Sequence, residues 1–321
     1  MKLKLSSIAA VAALAAASFG AQASVIAMAD LSIGTLAVRN VTDPNNIVFL
    51  TNSDITVVSG SRVSNAKAVL NGVQADSSAN ATATGTADAA MQCLGACGDV
   101  NLLAAYGGVL SENHTTHISS PIAPAINYSL GDSSISGSAL SGGSAGFTRA
   151  NSQIAGATNS ANANGNLQNE VSALTTFSVN TTMTADFFGV YDAFVRTFID
   201  AAHYGGNGSA SATATNQFNL SVFDETAGVF LDFGGSDIWR PSQWNRNIST
   251  STANNGSAKL FHDTGALDSP DVILIGGHSY QLTISQNSTT NVNAIPEPAS
   301  LALVGLALTA LGFARRQKSA R

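Results

Sequence analysis

A chain of 321 residues with 14 Lys+Arg against 20 Asp+Glu has a formal net charge of −6 and carries charge on only 11% of its positions. Six of the cations sit near the two ends (Lys2, Lys4, Arg315, Arg316, Lys318 and Arg321), leaving eight in the body against the chain's twenty acids. That acid excess excludes a nucleic-acid binder, which needs a basic footprint, and adhesion to anionic lipid. It suits a soluble surface protein, or one that meets divalent cations or neutral glycans.

The front end has the three parts of a secretory signal peptide in order. Lys2 and Lys4 are the positive region, Ile8 to Phe19 is apolar and Ala-rich, and Ala21-Gln22-Ala23 is a small-x-small cleavage site. Residues 1–23 are therefore expected to be removed, with Ala27-Met28-Ala29 as a second candidate site. The secreted body is expected at 24–294.

Residues 30–73 read as strands and turns. "ADLSIGTLAVRNV" alternates locally, "NNIVFLTNSDITVVSGS" has β-branched runs, and "VLNGV" holds an Asn-Gly turn signal. The tracts at 74–92 and 131–167 have almost no large apolar residue. They are expected to be loops, sheet-edge strands or flexible spacers.

Between them lie both cysteines, Cys93 and Cys97. An oxidising compartment predicts a local disulfide closing one small loop. A zinc reading competes, because His114 and His117 follow, but their spacing is short for a two-Cys, two-His site and oxidation competes for the thiols. The expectation is no metal and no cofactor.

From Val171 the alternation sharpens. "VSALTTFSVNTTMTADFFG", "SATATNQFNLSVFDETAGVFLDF" and "HSYQLTISQNSTTNV" alternate apolar residues with Ser, Thr and Asn, the period of a strand with one buried face. "DETAG" reads as a hairpin loop. "VYDAFVRTFIDAAHYG" fits a helix or a strand, and its strand-rich surroundings favour strand. The body is expected to be all-β, a β-sandwich with its better-formed part at 171–294.

Few residues suggest chemistry. Gly142-Gly143-Ser144-Ala145-Gly146 matches Gly-x-Ser-x-Gly, which marks a nucleophile only on a strained strand-to-helix turn. Gly131-Asp132-Ser133 resembles the start of an esterase block. Both lie in a Gly/Ser-rich tract where such matches arise by composition, as do sequons such as those at Asn40, Asn180 and Asn287. Only four glutamates occur, so no spaced carboxylate pair suggests glycoside hydrolysis. No catalytic residue is assigned. Trp239 and Trp244, with Arg240, Gln243, Asn245 and Arg246 nearby, are candidates for a glycan platform, since an aromatic face packs on a sugar ring while amides bond its hydroxyls. The bland reading buries both tryptophans under a loop.

The last stretch is the most specific. Pro296-Glu297-Pro298 precedes an apolar run at 299–314, about 24 Å long as a helix, and then Arg315, Arg316, Lys318 and Arg321. The run is slightly short for a permanent span but long enough for a transient one, and the basic tip is expected to stay cytoplasmic. This layout resembles the PEP-CTERM sorting signal of Gram-negative bacteria, and residues 295–321 are expected to be that signal. The resemblance implies processing by exosortase, a transient stay in the inner membrane, and a role linked to exopolysaccharide or biofilm. In the body, "CLGAC", "FTRAN", "YDAFVRTFIDA" and "GHSYQLTIS" look like segments of an exosortase-dependent surface protein family. The expected function is a non-enzymatic surface or matrix protein, with a glycan-binding adhesin as the alternative and a secreted hydrolase third.

Overall fold

A computed structural model of the chain describes residues 24–295, except 83, 116, 119–121, 123–125, 156–159, 168–172, 201–208 and 253–257. Two eight-stranded antiparallel sheets face each other as a sandwich. The first is ordered β14 (Lys259–Asp268), β10 (Met183–Ile199), β1 (Ser24–Asn40), β7 (Gly143–Ala155), β6 (Tyr128–Ser138), β5 (Ala87–Gly95). The short β2 (Val48–Phe49) is added on β1, and β15 (Val272–Leu274) on β10. The second is ordered β12 (Val229–Phe230), β11 (Ser209–Asp224), β16 (Ser279–Ile295), β8 (Ser160–Leu167), β3 (Ile55–Leu70), β4 (Val73–Thr82), with β13 (Arg246–Ser251) on β11. The strand β9 (Ala173–Val179) shares the position of β8 between β16 and β3, nearer the other end. Both halves of the chain contribute to both sheets.

Local signals account for several elements. The Asn-Gly signal is the β3–β4 hairpin, with φ of 51° at Asn71 and 80° at Gly72, the left-handed pair that a tight primed turn requires. "DETAG" joins β11 to β12. "VYDAFVRTFI" is strand, not helix: Tyr191, Ala193 and Val195 face the second sheet, while Asp192, Phe194 and Arg196 face outward.

The two sheets enclose a core of three layers along the strands. At one end Phe177, Phe187, Phe218, Trp239, Trp244 and Tyr280 form an aromatic cluster with aliphatic neighbours. At the other, small residues such as Val25, Ala27, Ala212 and Val292 bring the sheets close. Between and beside them the sheets are joined by buried polar side chains. Thr148 meets Ser288 at 2.7 Å, Ser152 meets Thr290 at 3.0 Å, Thr197 meets Thr250 at 2.7 Å and Ser64 meets Ser133 at 2.8 Å. Asn216 donates to the Asp30 carbonyl, and Gln286 to that of Leu31. Each buried hydroxyl or amide named here has a partner, the condition under which polar burial is tolerated.

This layer corrects the reading of 131–167 as loop or spacer. β6 and β7 are interior strands of the first sheet. Their Ser and Thr side chains are buried because they bond across the sandwich, and Asn151 and Gln153 because they bond Tyr106 and the Ile122 backbone on the sheet's other face, not because they are apolar. β4, from the 74–92 tract, is an edge strand, one of the alternatives left open.

β1 is buried on both faces. As far as Ile33 its odd residues face the second sheet, and after the register shift there Leu36 and Val38 do, while Ile26, Met28 and Asp30 face a covering formed by the described parts of 96–127, including the short helix α1 (Val100–Ala105) capped by Asp99. Tyr106, Ile118 and Ile122 of this covering pack on Met28, Tyr128 and Phe194.

Candidate functional site

The sites singled out in the sequence are dispersed. Cys93 and Cys97 are joined at 2.02 Å between sulfurs, with Cα atoms 6.1 Å apart. This occupies both thiols, so a two-Cys, two-His zinc site is not formed. The bond ties the end of β5 to the start of the covering segment.

Trp239 and Trp244 do not form an exposed platform. Trp244 is fully buried and Trp239 is 6% exposed. Their rings pack edge-to-face on each other at 5.1 Å and on Phe218 at 5.9 and 4.6 Å. The segment carrying them folds back under β11, where the Trp239 backbone pairs with Leu220. Asn245 is spent on the backbone of Phe218 and Pro241, and Arg246 stacks its guanidinium on Phe261 at 4.1 Å. A platform needs an accessible ring face, and burial removes it.

Ser144 is the second residue of β7, after a hairpin from β6, and its hydroxyl donates to the Ser136 carbonyl. An antiparallel hairpin does not supply the strand-to-helix elbow that exposes a nucleophile. Asp132 is paired with fully buried Arg149 at 2.8 Å, and Ser133 bonds Ser64 and the Asn65 carbonyl. Arg149 also donates to the carbonyls of Ser111 and His114, holding the covering segment onto β7. Beside it, Asp30 is completely buried. Burial pushes its carboxyl up to about 8, against the pull of Arg149. With the amide of Asn151 oriented to suit both neighbours, its nitrogen donates to Asp30 Oδ1 at 3.0 Å and its oxygen accepts from the Tyr106 hydroxyl at 2.8 Å.

Sequence reasoning missed one cleft. Its volume is about 360 Å³, and it is lined by Thr35, Phe49, Thr51, Asn52, Ser141 and Gly142, among others. Phe49 is 53% exposed there, beside hydroxyl and amide groups. Its signal was weak, since an aromatic on the two-residue strand β2 has no periodicity to mark it.

The geometry most relevant to function is where the body connects to its flanking segments. Ser24 opens β1, and Val25 is in register with Ile199 and Ile154. Ile295 closes β16 opposite Ser209. Val25, Ile154, Ile199, Ala210, Val292 and Ala294 belong to one cluster, so both connections leave from the same end of the sandwich. Strands of 17 residues place the aromatic end roughly 50 Å away. β16 is paired with β11 along almost its whole length and with β9 and β8 on its other side as far as Asn293, and Pro296 follows its last residue in the sequence.

Pro296, Glu297, Pro298, the 299–314 run, Arg315, Arg316, Lys318 and Arg321 lie outside the described residues, as do residues 1–23, expected to be a signal peptide. The described residues form an all-β sandwich whose final strand ends at Ile295. Residues 294–318 match the PEP-CTERM protein-sorting motif. The motif implies export, processing by exosortase and membrane-associated sorting toward the cell surface. No curated protein and no solved structure matches the chain.

Proposed function

We propose that the protein is a non-enzymatic surface or matrix component of a Gram-negative bacterium, sorted by exosortase and associated with exopolysaccharide or biofilm. The observation that carries this reading is the sorting motif at 294–318, running on directly from the paired strand β16. In the precursor, the signal peptide and the sorting helix would hold the same end of the sandwich to the inner membrane, and the aromatic end would project outward. Exosortase cutting at or near Pro296-Glu297-Pro298 then frees or transfers a body closed at its last strand. Intact-mass measurement of envelope and secreted protein, with and without exosortase, tests this. A mature form ending near 295–298 is expected only when exosortase is present. Recovery of Arg321 in the mature surface form would leave a plain membrane anchor.

A second reading, glycan binding, draws on the cleft by Phe49 rather than on the buried tryptophans. An exposed aromatic ring beside Thr35, Asn52 and Ser141 suits a neutral sugar. If it holds, Phe49→Ala should abolish retention of the protein on the host's own exopolysaccharide. Unchanged retention would leave the structural role alone.

A further inference from the structure

Three side chains from distant parts of the chain converge on the outer face of the first sheet. Asp192 and Phe194 point outward from β10, and His262 of β14 stands in register with Phe194. His117, from the covering segment, lies flat on the Phe194 ring, with centroids 4.4 Å apart and planes 7° from parallel. His117 Nε2 is 3.5 Å from Asp192 Oδ1, and His262 Nε2 is 3.1 Å from the same oxygen. One donor atom from each residue lies within 4.8 Å of the other two.

We propose that His117, Asp192 and His262 bind one divalent cation of the zinc class, which fastens the covering segment to β10 and β14 and keeps a fourth coordination position open to solvent.

The spacing supports it. Metal–ligand bonds of about 2.0–2.1 Å in a tetrahedron set ligand atoms about 3.3 Å apart. Two of the three edges are already close to that. The third joins two imidazoles in edge-to-face contact, with centroids 4.4 Å apart. It closes by a small rotation of His262, whose side chain is 44% exposed. A plain ion pair between His262 and Asp192 would account for those two groups but not for His117. Its Nε2 is buried and has no hydrogen-bond partner, a cost that a bound cation removes. Burial first, and then the neighbouring His262, hold His117 below the ordinary imidazole range against the pull of Asp192.

The donor set also selects the metal. Two imidazoles and one carboxylate suit zinc, copper or nickel, whereas magnesium and calcium need six or more oxygens. Phe194 closes one side of the site, and the exposed flank beside His262 leaves room for water or a ligand group in the fourth position.

The test uses the full chain in mild detergent, oxidised, without a polyhistidine tag, stripped by chelator and titrated with zinc chloride in a calorimeter. The expected result is one zinc per chain with micromolar or tighter affinity. His262→Ala and Asp192→Asn should each weaken it about tenfold or more while the strand-type circular dichroism is kept. His278→Ala, at a distant half-buried pair with Asp224, should bind as wild type does. Cobalt in place of zinc should give the visible absorption of a tetrahedral centre, lost in His262→Ala. Absence of stoichiometric zinc uptake by the folded wild type would overturn the proposal. So would undiminished affinity in both site variants.

Discussion

Asp30 is a completely buried carboxyl that ties stability to pH. An unfolded aspartate gives up its proton near pH 4, whereas the folded group holds it to about 8. Across that window the native state binds the extra proton, so stability should fall as pH rises from about 4 to about 8 and level off beyond it. Asp30→Asn keeps the uncharged form and should flatten the slope. Urea midpoints at pH 5 and pH 8.5 measure it, and an equal slope in the variant would refute the assignment. Its neighbour Arg149 is a different case. Removing the guanidinium strands Asp132 without its buried partner, so Arg149→Ala should cost about 3–5 kcal/mol. At the aromatic end, Gly189 leaves room for Trp244, and a Cβ there would come within 2.3 Å of the indole. Gly189→Ala should therefore destabilise by about 1–3 kcal/mol and shift tryptophan fluorescence, because the ring must move.

At the scale of elements, the covering segment depends on scattered fastenings rather than on its own helix. α1 has only six residues, too short to be stable alone. The segment is held by the Cys93–Cys97 bond, by Arg149 and Gln153 reaching its backbone, and by the Arg196 guanidinium on the Ile118 carbonyl. The disulfide closes a very small loop, so the chain-entropy estimate for reducing it is only about 2 kcal/mol. Reduction should raise amide exchange in 96–118 before it unfolds the sheets. Protein unfolded without reductant should show no thiol, and two alkylated cysteines in that assay would disprove the bond. Exchange rising evenly over the whole body would show that the segment is not a separate unit.

At the scale of the whole molecule, the strand pairing favours one of the two candidate cleavage sites of the expected signal peptide. Cutting after Ala29 would delete Ser24 to Ala29 from β1, buried residues paired with β7 and, from Val25 on, with β10 as well. Cutting after Ala23 leaves the sheet whole. N-terminal sequencing of the exported protein should give Ser24, and a start at Asp30 would contradict the central place of β1. At the other connection, Glu297→Ala should leave export intact and hold unprocessed precursor in the inner membrane, seen as an intact C-terminal mass. Normal maturation of that variant would separate processing from the Pro-Glu-Pro tripeptide.

The sequence by itself determined the all-β class, the Asn71-Gly72 hairpin, the strand character after Val171 and the sorting segment. Each is a local pattern: alternation at period two, a turn residue at a fixed offset, or a tripeptide before an apolar run and a basic tip. Only the tertiary structure decided what depends on strands meeting across the sandwich. The Ser/Thr/Asn-rich tract became interior strands because Thr148, Ser152 and Ser133 found partners on the opposite sheet, and a hydroxyl's partner is invisible in composition. The tryptophans went inward because the segment that carries them pairs with β11. His117, Asp192 and His262 met because β10 and β14 are neighbours beneath the covering segment, a contact between residues as much as 145 positions apart in the chain. No window along the chain spans such a distance, so only the long-range pairing of strands brings those side chains together.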